Sequence, residues 1–438
     1  MVRRPTSSGE DFGSGAGLSS IDRMLMAAME RGDESLETGR YIVTYAPESG
    51  EAARQALAGA DLRMADARDY EDQAVGAQDV GDADGLNLPE IGVAIISSPD
   101  FAERGMALSE DSSNPIEIVE PEHFMFADNL SADYLRGFRR AAEALAAEAD
   151  GRVPDSDHAH DQDGEFGAEV LGATWGLKAC RVPQSSRTGA GIRVAILDTG
   201  FDLMHPDFVG RPIISQSFVG QPVQDLNGHG THCTGTSCGP LSPPGTTPRY
   251  GIGFKAQIFI GKVLSNAGSG STGTVLAGMN WAVANNCTVI SMSLGAQIPV
   301  QAAYTAAGQA ALNKGLLMVA AAGNAYCQPT GAPANSPTIM AVASLDPNLA
   351  PSNFSNCGKL QIAGPGRDVF SSWPMPVRYK TISGTSMATP HVAGCAALWA
   401  QTSPGLRGQA LWNRLQATAR LLPYPPTKVG RGLVQAPA

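Results

Sequence analysis

Ile192-Arg193-Val194-Ala195-Ile196-Leu197-Asp198-Thr199-Gly200 is an apolar run that ends on an aspartate and a glycine turn. Beyond Arg193 no polar residue interrupts it, so neither face is built for water. It reads as a parallel strand buried on both sides. Asp198 then stands at the strand's carboxyl end, where open α/β sheets gather their ligands. Similar runs follow. Val289-Ile290-Ser291-Met292 leads into Ser293-Leu294-Gly295, and a run from about Gly315 closes on Val319-Ala320-Ala321-Ala322-Gly323-Asn324. A helical segment, 274–285, lies between the first and second runs. The expected class is α/β: a parallel sheet with helices on both faces.

Two further stretches carry chemistry. In Asn227-Gly228-His229-Gly230-Thr231-His232-Cys233-Thr234-Gly235-Thr236, His229 follows a glycine and opens a small-residue helix. In Gly384-Thr385-Ser386-Met387-Ala388-Thr389-Pro390-His391-Val392-Ala393-Gly394, a serine flanked by small residues precedes a helix running to about Ala400. Backbone N–H groups and the dipole at such a helix start favour negative charge. Taken singly, each residue has an ordinary meaning. Ser386 suits a helix N-cap, Asp198 a turn, and His229 a buried structural position. Their chain order, Asp then His then Ser, matches one of the orders in which a nucleophilic serine triad occurs. A serine hydroxyl needs a base within hydrogen-bond reach. A histidine supplies it, and a carboxylate fixes the imidazole tautomer.

From about Trp175 to the last residue, these motifs together resemble the subtilisin-like serine proteases (subtilases), with local likeness to the proteinase K branch. The resemblance implies a seven-stranded-type parallel sheet and a triad of Asp198, His229 and Ser386. It places Asn324 as the side-chain donor of the oxyanion hole. It also implies that Gly268-Ser269-Gly270 pairs with the substrate backbone as an added strand, with Ser293-Leu294-Gly295 across the cleft. These residues and Ala320 to Gly323, Ala322 and Gly323 among them, would line the pocket for the residue before the scissile bond. The pocket walls are small and uncharged, so a sizeable apolar or aromatic side chain should enter. Gly268 to Gly270 also reads as a turn that only closes the fold. His205, His232 and His391 read as structural. Cys233 is expected buried and unpaired, as its counterparts are in the proteinase K branch.

Charge divides the chain. Residues 1–165 hold 35 of 42 acidic and 13 of 31 basic residues, a net −22; the remainder carries +11. Two pieces with different roles, docking through opposite charge, are expected. The acidic piece resembles the inhibitory prodomain of subtilases, a small βαββαβ unit. Its strands are expected at Arg40 to Tyr45, Ile91 to Ile96 and Pro115 to Glu122, with helices at Glu51 to Ala58 and near Phe101 to Leu108. The expected divisions are a disordered leader 1–38, a prodomain 39–127, an acidic linker 128–165 and a catalytic domain 166–438. Within the linker, 131–149 favours a helix, and 155–163, with His158 and His160, reads as a solvated cleavable stretch. The first self-cut is expected close to Phe126 or Ala127, and a second in 150–165.

The seven cysteines all follow residue 165, and an odd count leaves at least one thiol. Cys327 and Cys357 are the first pair to test for a disulfide. No apolar stretch reaches the ~20 residues of a membrane span. The start, Met1-Val2-Arg3-Arg4-Pro5, has no recognisable signal-peptide core, which leaves cytoplasmic life or non-standard export open. No cofactor is expected. Few carboxylates remain in the basic half for a hard cation, so calcium has at most a weak site at Asp207. The expected protein is a monomeric endopeptidase of protein or peptide substrates, inhibited by its own prodomain, with no nucleic-acid partner. Its rivals are a maturation protease dedicated to one precursor and a pseudoprotease serving as a binding module.

Overall fold

The computed structural model describes residues 18–31, 35–98, 101, 114–127, 172–245 and 247–438. Of the expected helix near Phe101 to Leu108 only Phe101 is among them, and the expected helix 131–149 and the stretch 155–163 lie outside them. The N-terminal unit has strands β1 (Glu37–Tyr45), β2 (Met64–Asp66), β3 (Gly85–Leu88), β4 (Val93–Ile96) and β5 (Ile116–Phe126), with a helix Gly50–Gly59 after β1. The larger unit contributes β6 (Arg193–Asp198), β7 (Ile213–Ser217), β8 (Gln257–Lys262), β9 (Ser269–Ser271), β10 (Val289–Met292), β11 (Leu317–Ala321), β12 (Met340–Leu345) and β13 (Ile362–Pro365). A hairpin, β14 (Val369–Ser372) and β15 (Tyr379–Ile382), follows.

Seven strands form one parallel sheet in the order β13-β12-β11-β10-β6-β8-β7. From β6 the chain crosses to the edge strand β7, returns to β8 beside β6, and then steps outward through β10 to β13 on the other side. The connections that leave the neighbours β6 and β10 therefore run in opposite directions, and Asp198 ends β6 beside that switch. Alternate residues of β6 feed two cores: Val194 and Ile196 pack on one face, Ala195 and Leu197 on the other. That is the period of two expected of a strand covered on both sides.

The N-terminal sheet has the order β2-β3-β4-β1-β5-β9, so its last strand belongs to the other unit. One face, carrying Ile42, Leu86, Leu88 and Ile95, shares a core with Leu276, Met279, Ala303 and Ala307. Those last four lie on the helices Thr272–Ala284 and Ala302–Asn313. Val43, Tyr45, Ala94 and Ile96 turn to the opposite face, onto Ala53, Leu57 and Phe101. Two acidic side chains sharpen the docking. Glu120 accepts from the N–H groups of Ala302 and Ala303 at 3.1 and 2.9 Å. Glu122 accepts from Ser271 Oγ at 2.7 Å and from the Gly273 N–H at 2.9 Å, while pairing with Arg40. Each carboxylate thus sits at a helix N-terminus, where unsatisfied N–H groups and the dipole favour an anion.

One expectation fails. The leader is not featureless, because Ser20–Glu30 is a helix. Ser19 and Asp22 form a reciprocal capping box at its start. Ile21, Leu25 and Ala28, one turn apart, are buried against Phe124 and Phe126 of β5. The helix is held by a partner distant in sequence, so composition alone misses it. The first strand also starts at Glu37, inside the stretch read as leader.

Candidate active site

The structure brings the three candidate residues to the carboxyl ends of the central strands. His229 Nδ1 lies 2.7 Å from Asp198 Oδ1, and both side chains are buried. Burial acts to lower the His229 pKa. The adjacent Asp198 carboxylate outweighs it and holds the imidazole well above its ordinary value. Gly228, the N-cap of the helix His229–Cys238, has φ +103°. A Cβ there would fall 2.3 Å from the Trp373 ring, so only glycine permits this approach to His229.

Ser386 stands in the first turn of the helix Thr385–Thr402. Pro390, four residues on, has no N–H for the Ser386 carbonyl. That oxygen instead accepts from Ser293 Oγ at 2.7 Å and from Cys233 Sγ at 3.6 Å. The proline thus ties the serine to the cleft wall and to the helix bearing His229. Ser386 Oγ itself donates toward Ser293 O at 3.2 Å and Ala127 O at 3.3 Å. Among the described residues, His229 Nε2 has no hydrogen-bond partner.

Asn324 lies across from Ser386. Its Oδ1 accepts from the Thr385 N–H at 2.8 Å and from Thr385 Oγ1 at 2.9 Å, which fixes the orientation of the amide. Leu294, Gly295, Ala322 and Gly323 line a small pocket with Asn324 and Ser386, as the sequence suggested. Gly331 and Ala332 close it, a contribution with no local signal.

The cleft holds a strand of the chain itself. Phe124, Met125 and Phe126 pair antiparallel with Ser271, Gly270 and Ser269. On the other side Phe126 exchanges bonds of 3.1 and 2.9 Å with Gly295, and the Ala127 N–H reaches Gly268 O at 2.9 Å. The candidate substrate strands, Gly268 to Gly270 and Ser293 to Gly295, therefore flank one extended peptide.

Residues 189–434 match the Subtilase family. The chain belongs to the subtilase family. An alkaline serine protease, ver112 of Corniculantispora psalliotae, is 36% identical over 352 residues, covering 75% of this chain and 85% of that protein. Subtilisin Savinase of Lederbergia lenta is 39% identical over 270 residues, 60% of this chain and 97% of its own length. A solved cold adapted subtilisin-like serine proteinase aligns with a TM-score of 0.53 and 34% identity, over 61% of this chain and 100% of the other. This subtilase is a serine-type endopeptidase that acts on protein substrates. Among the described residues no helix is long and apolar enough to cross a membrane.

Two residues support the subtilase site without a motif to announce them. Asp225, fully buried, accepts from the N–H groups of Asn227, Gly228 and Thr231 and from the hydroxyls of Thr231 and Thr199. It moulds the turn that presents His229. Lys262 is buried beneath it and bonds Asn266 Oδ1 at 2.8 Å and Thr199 O. Burial lowers its pKa to about 8, against the pull of Asp225, Asp198 and Asp22.

Three further histidines of the larger unit are held structurally. His205 bonds Arg378 O and the Asp207 N–H, His232 bonds Val369 O, and His391 bonds Met387 O. Cys327 and Cys357 form a disulfide, and the other five cysteines are buried thiols. Burial pushes the Cys233 thiol up, against the nearby imidazole.

Calcium does not fit Asp207. Its buried carboxylate accepts from Tyr250 Oη at 2.6 Å, Tyr379 Oη at 2.9 and 3.0 Å, and Arg378 Nη2 at 3.0 Å. The positive charge beside it is a guanidinium. Elsewhere the carbonyls of Ala334, Ser336 and Ile339 converge on Lys359 Nζ.

Proposed function

We propose that the chain is a self-processing zymogen whose nucleophile is Ser386, with His229 as its base and Asp198 as the orienting carboxylate. The observation that carries this reading is the strand Phe124 to Ala127, bound as a substrate backbone and ending beside Ser386 Oγ. In the reaction the Ser386 hydroxyl turns from Ser293 O toward His229 Nε2. It attacks the carbonyl carbon as Nε2 takes its proton. The oxyanion is met by Asn324 Nδ2 and the Ser386 N–H at the helix start. The imidazolium, steadied by Asp198, returns the proton to the leaving amine. A water then repeats the cycle on the acyl-enzyme. These groups supply nucleophile, base and oxyanion donors, so the mechanism calls on no cofactor.

The first self-cut falls within the two bonds after Ala127, and the N-terminal piece that ends there then remains as a bound inhibitor. The small apolar pocket favours an apolar or aromatic residue before the scissile bond. The mature enzyme acts as a monomer. The test is Ser386→Ala. The variant should stay at full length and hydrolyse no peptide, whereas the wild type yields a new N-terminus just beyond Ala127 by mass spectrometry. Normal maturation of the variant would overturn the assignment.

A further inference from the structure

We propose that the leader helix Ser20–Glu30 is a second inhibitory element, which locks the tail in the cleft from its outer side through Asp22. The inference rests on the zymogen reading above.

The tail has two faces. Met125 turns inward and joins the core of the larger unit. Phe124 and Phe126 turn outward, away from the sheet. In a cleft open to water, outward side chains of a bound peptide would be solvated. Here both rings are fully buried, because Ile21, Leu25 and Ala28 close over them, with Met24 and Ala267 at the margin. The tail is therefore covered on both sides.

The leader also grips the substrate strand directly. Asp22 Oδ1 accepts from Ser265 Oγ at 2.7 Å and Ser269 Oγ at 2.5 Å. Ser269 belongs to β9, the strand that pairs with the tail. Asp22 Oδ2 meanwhile accepts from the Ser19 N–H at 2.9 Å, so one carboxylate both caps the helix and docks it. Asp22 is 1% exposed. A carboxylate buried this deeply is tolerated only with such partners.

The consequence is kinetic and thermodynamic. After the first cut the leader, the N-terminal sheet and the tail are still one covalent piece. Its departure must break the leader contacts together with the strand pairing. Linked contacts of this kind raise affinity well beyond either alone. The leader thus sets the protein concentration below which activity emerges.

The experiment uses the full-length chain. After self-cleavage each protein is diluted in steps, and the initial rate on a chromogenic peptide gives the concentration at which half the activity appears. Asp22→Ala and Leu25→Asp should be cut to the same extent as wild type but release activity at a concentration at least tenfold higher. Asp22→Asn, which keeps the shape, should fall between. Arg23→Ala, exposed on the outer face of the helix, should match wild type. In Ser265→Ala the further effect of Asp22→Ala should shrink, which a merely fold-stabilising role for Asp22 would not produce. If Leu25→Asp does not fold, the Asp22 and Ser265 variants decide the matter. Normal cleavage with an unchanged midpoint in Asp22→Ala would overturn the leader's role and leave the zymogen reading intact. A wild-type chain that is never cut, or is fully active at every concentration, would overturn the zymogen reading itself.

Discussion

Glu120→Ala should loosen the bound N-terminal unit without affecting the chemistry. Glu120 caps the helix Ala302–Asn313, whose own N-cap, Gln301, makes no side-chain cap bond. The two bonds at 3.1 and 2.9 Å are charge-assisted, but the carboxylate is half-buried, so solvent weakens them. A cap and dipole contribution of about 1–2 kcal/mol follows. At 1.4 kcal/mol per tenfold, the complex should weaken roughly 5–30-fold. Glu120→Gln keeps an acceptor and loses the charge, so it should forfeit only part of this. The assay is dilution of the self-cleaved chain, with the onset of peptidase activity as readout and the extent of cleavage as control. The reasoning fails if Glu120→Ala is cut normally and its onset does not move. It also fails if Glu120→Gln is as damaging as alanine.

Asn324→Ala should lower kcat by roughly 10²–10³ with little change in KM, the size that loss of a subtilisin oxyanion donor has. A raised KM with kcat intact would make Asn324 a ground-state contact. In the mature enzyme kcat/KM should rise with pH, because unprotonated His229 is the active form. The midpoint should lie above the ordinary histidine value of ~6.5, since Asp198 raises the imidazole's pKa. A pH–rate profile with an acid limb well below that value would contradict the pairing. Chelators should leave the melting temperature unchanged, while Lys359→Met, which strips three carbonyls of their donor, should destabilise the fold by about 1–3 kcal/mol. Calorimetry reads both, and a melting point that Lys359→Met leaves unmoved would refute the part given to its ammonium.

The middle of the central sheet was legible because β6, β10 and β11 are nearly uninterrupted apolar runs bounded by glycine, whereas β7, with two serines and a glutamine in Ile213–Ser217, carries no such pattern. Asp198, His229, Ser386 and Asn324 stood out as candidates because each sits at a strand end or helix start with a glycine within two residues. Less could be read where meaning depends on a partner far along the chain. The acidity of the N-terminal part was plain as a sum, yet Glu120 and Glu122 matter as two caps on particular helices. Asp225 carries no local signal, because its five bonds form only when the turn folds back over it. The leader helix hid for the same reason: Ile21, Leu25 and Ala28 find their cover in Phe124 and Phe126, about a hundred residues away. Arg378 likewise reveals its role only beside Asp207.

Departure of the tail would leave β9 as an edge strand, with unpaired backbone groups facing water beside those of Gly295. Naked edges invite a second chain to pair with them, which is how many β proteins aggregate. β9 spans only Ser269–Ser271, and its residues are serine and glycine. Such an edge is too short and too polar to template another copy of the fold. Together with Gly295 it flanks a slot that here holds one extended segment, Phe124 to Phe126. The same shortness that lets the cleft accept almost any backbone would keep the released enzyme from polymerising through it.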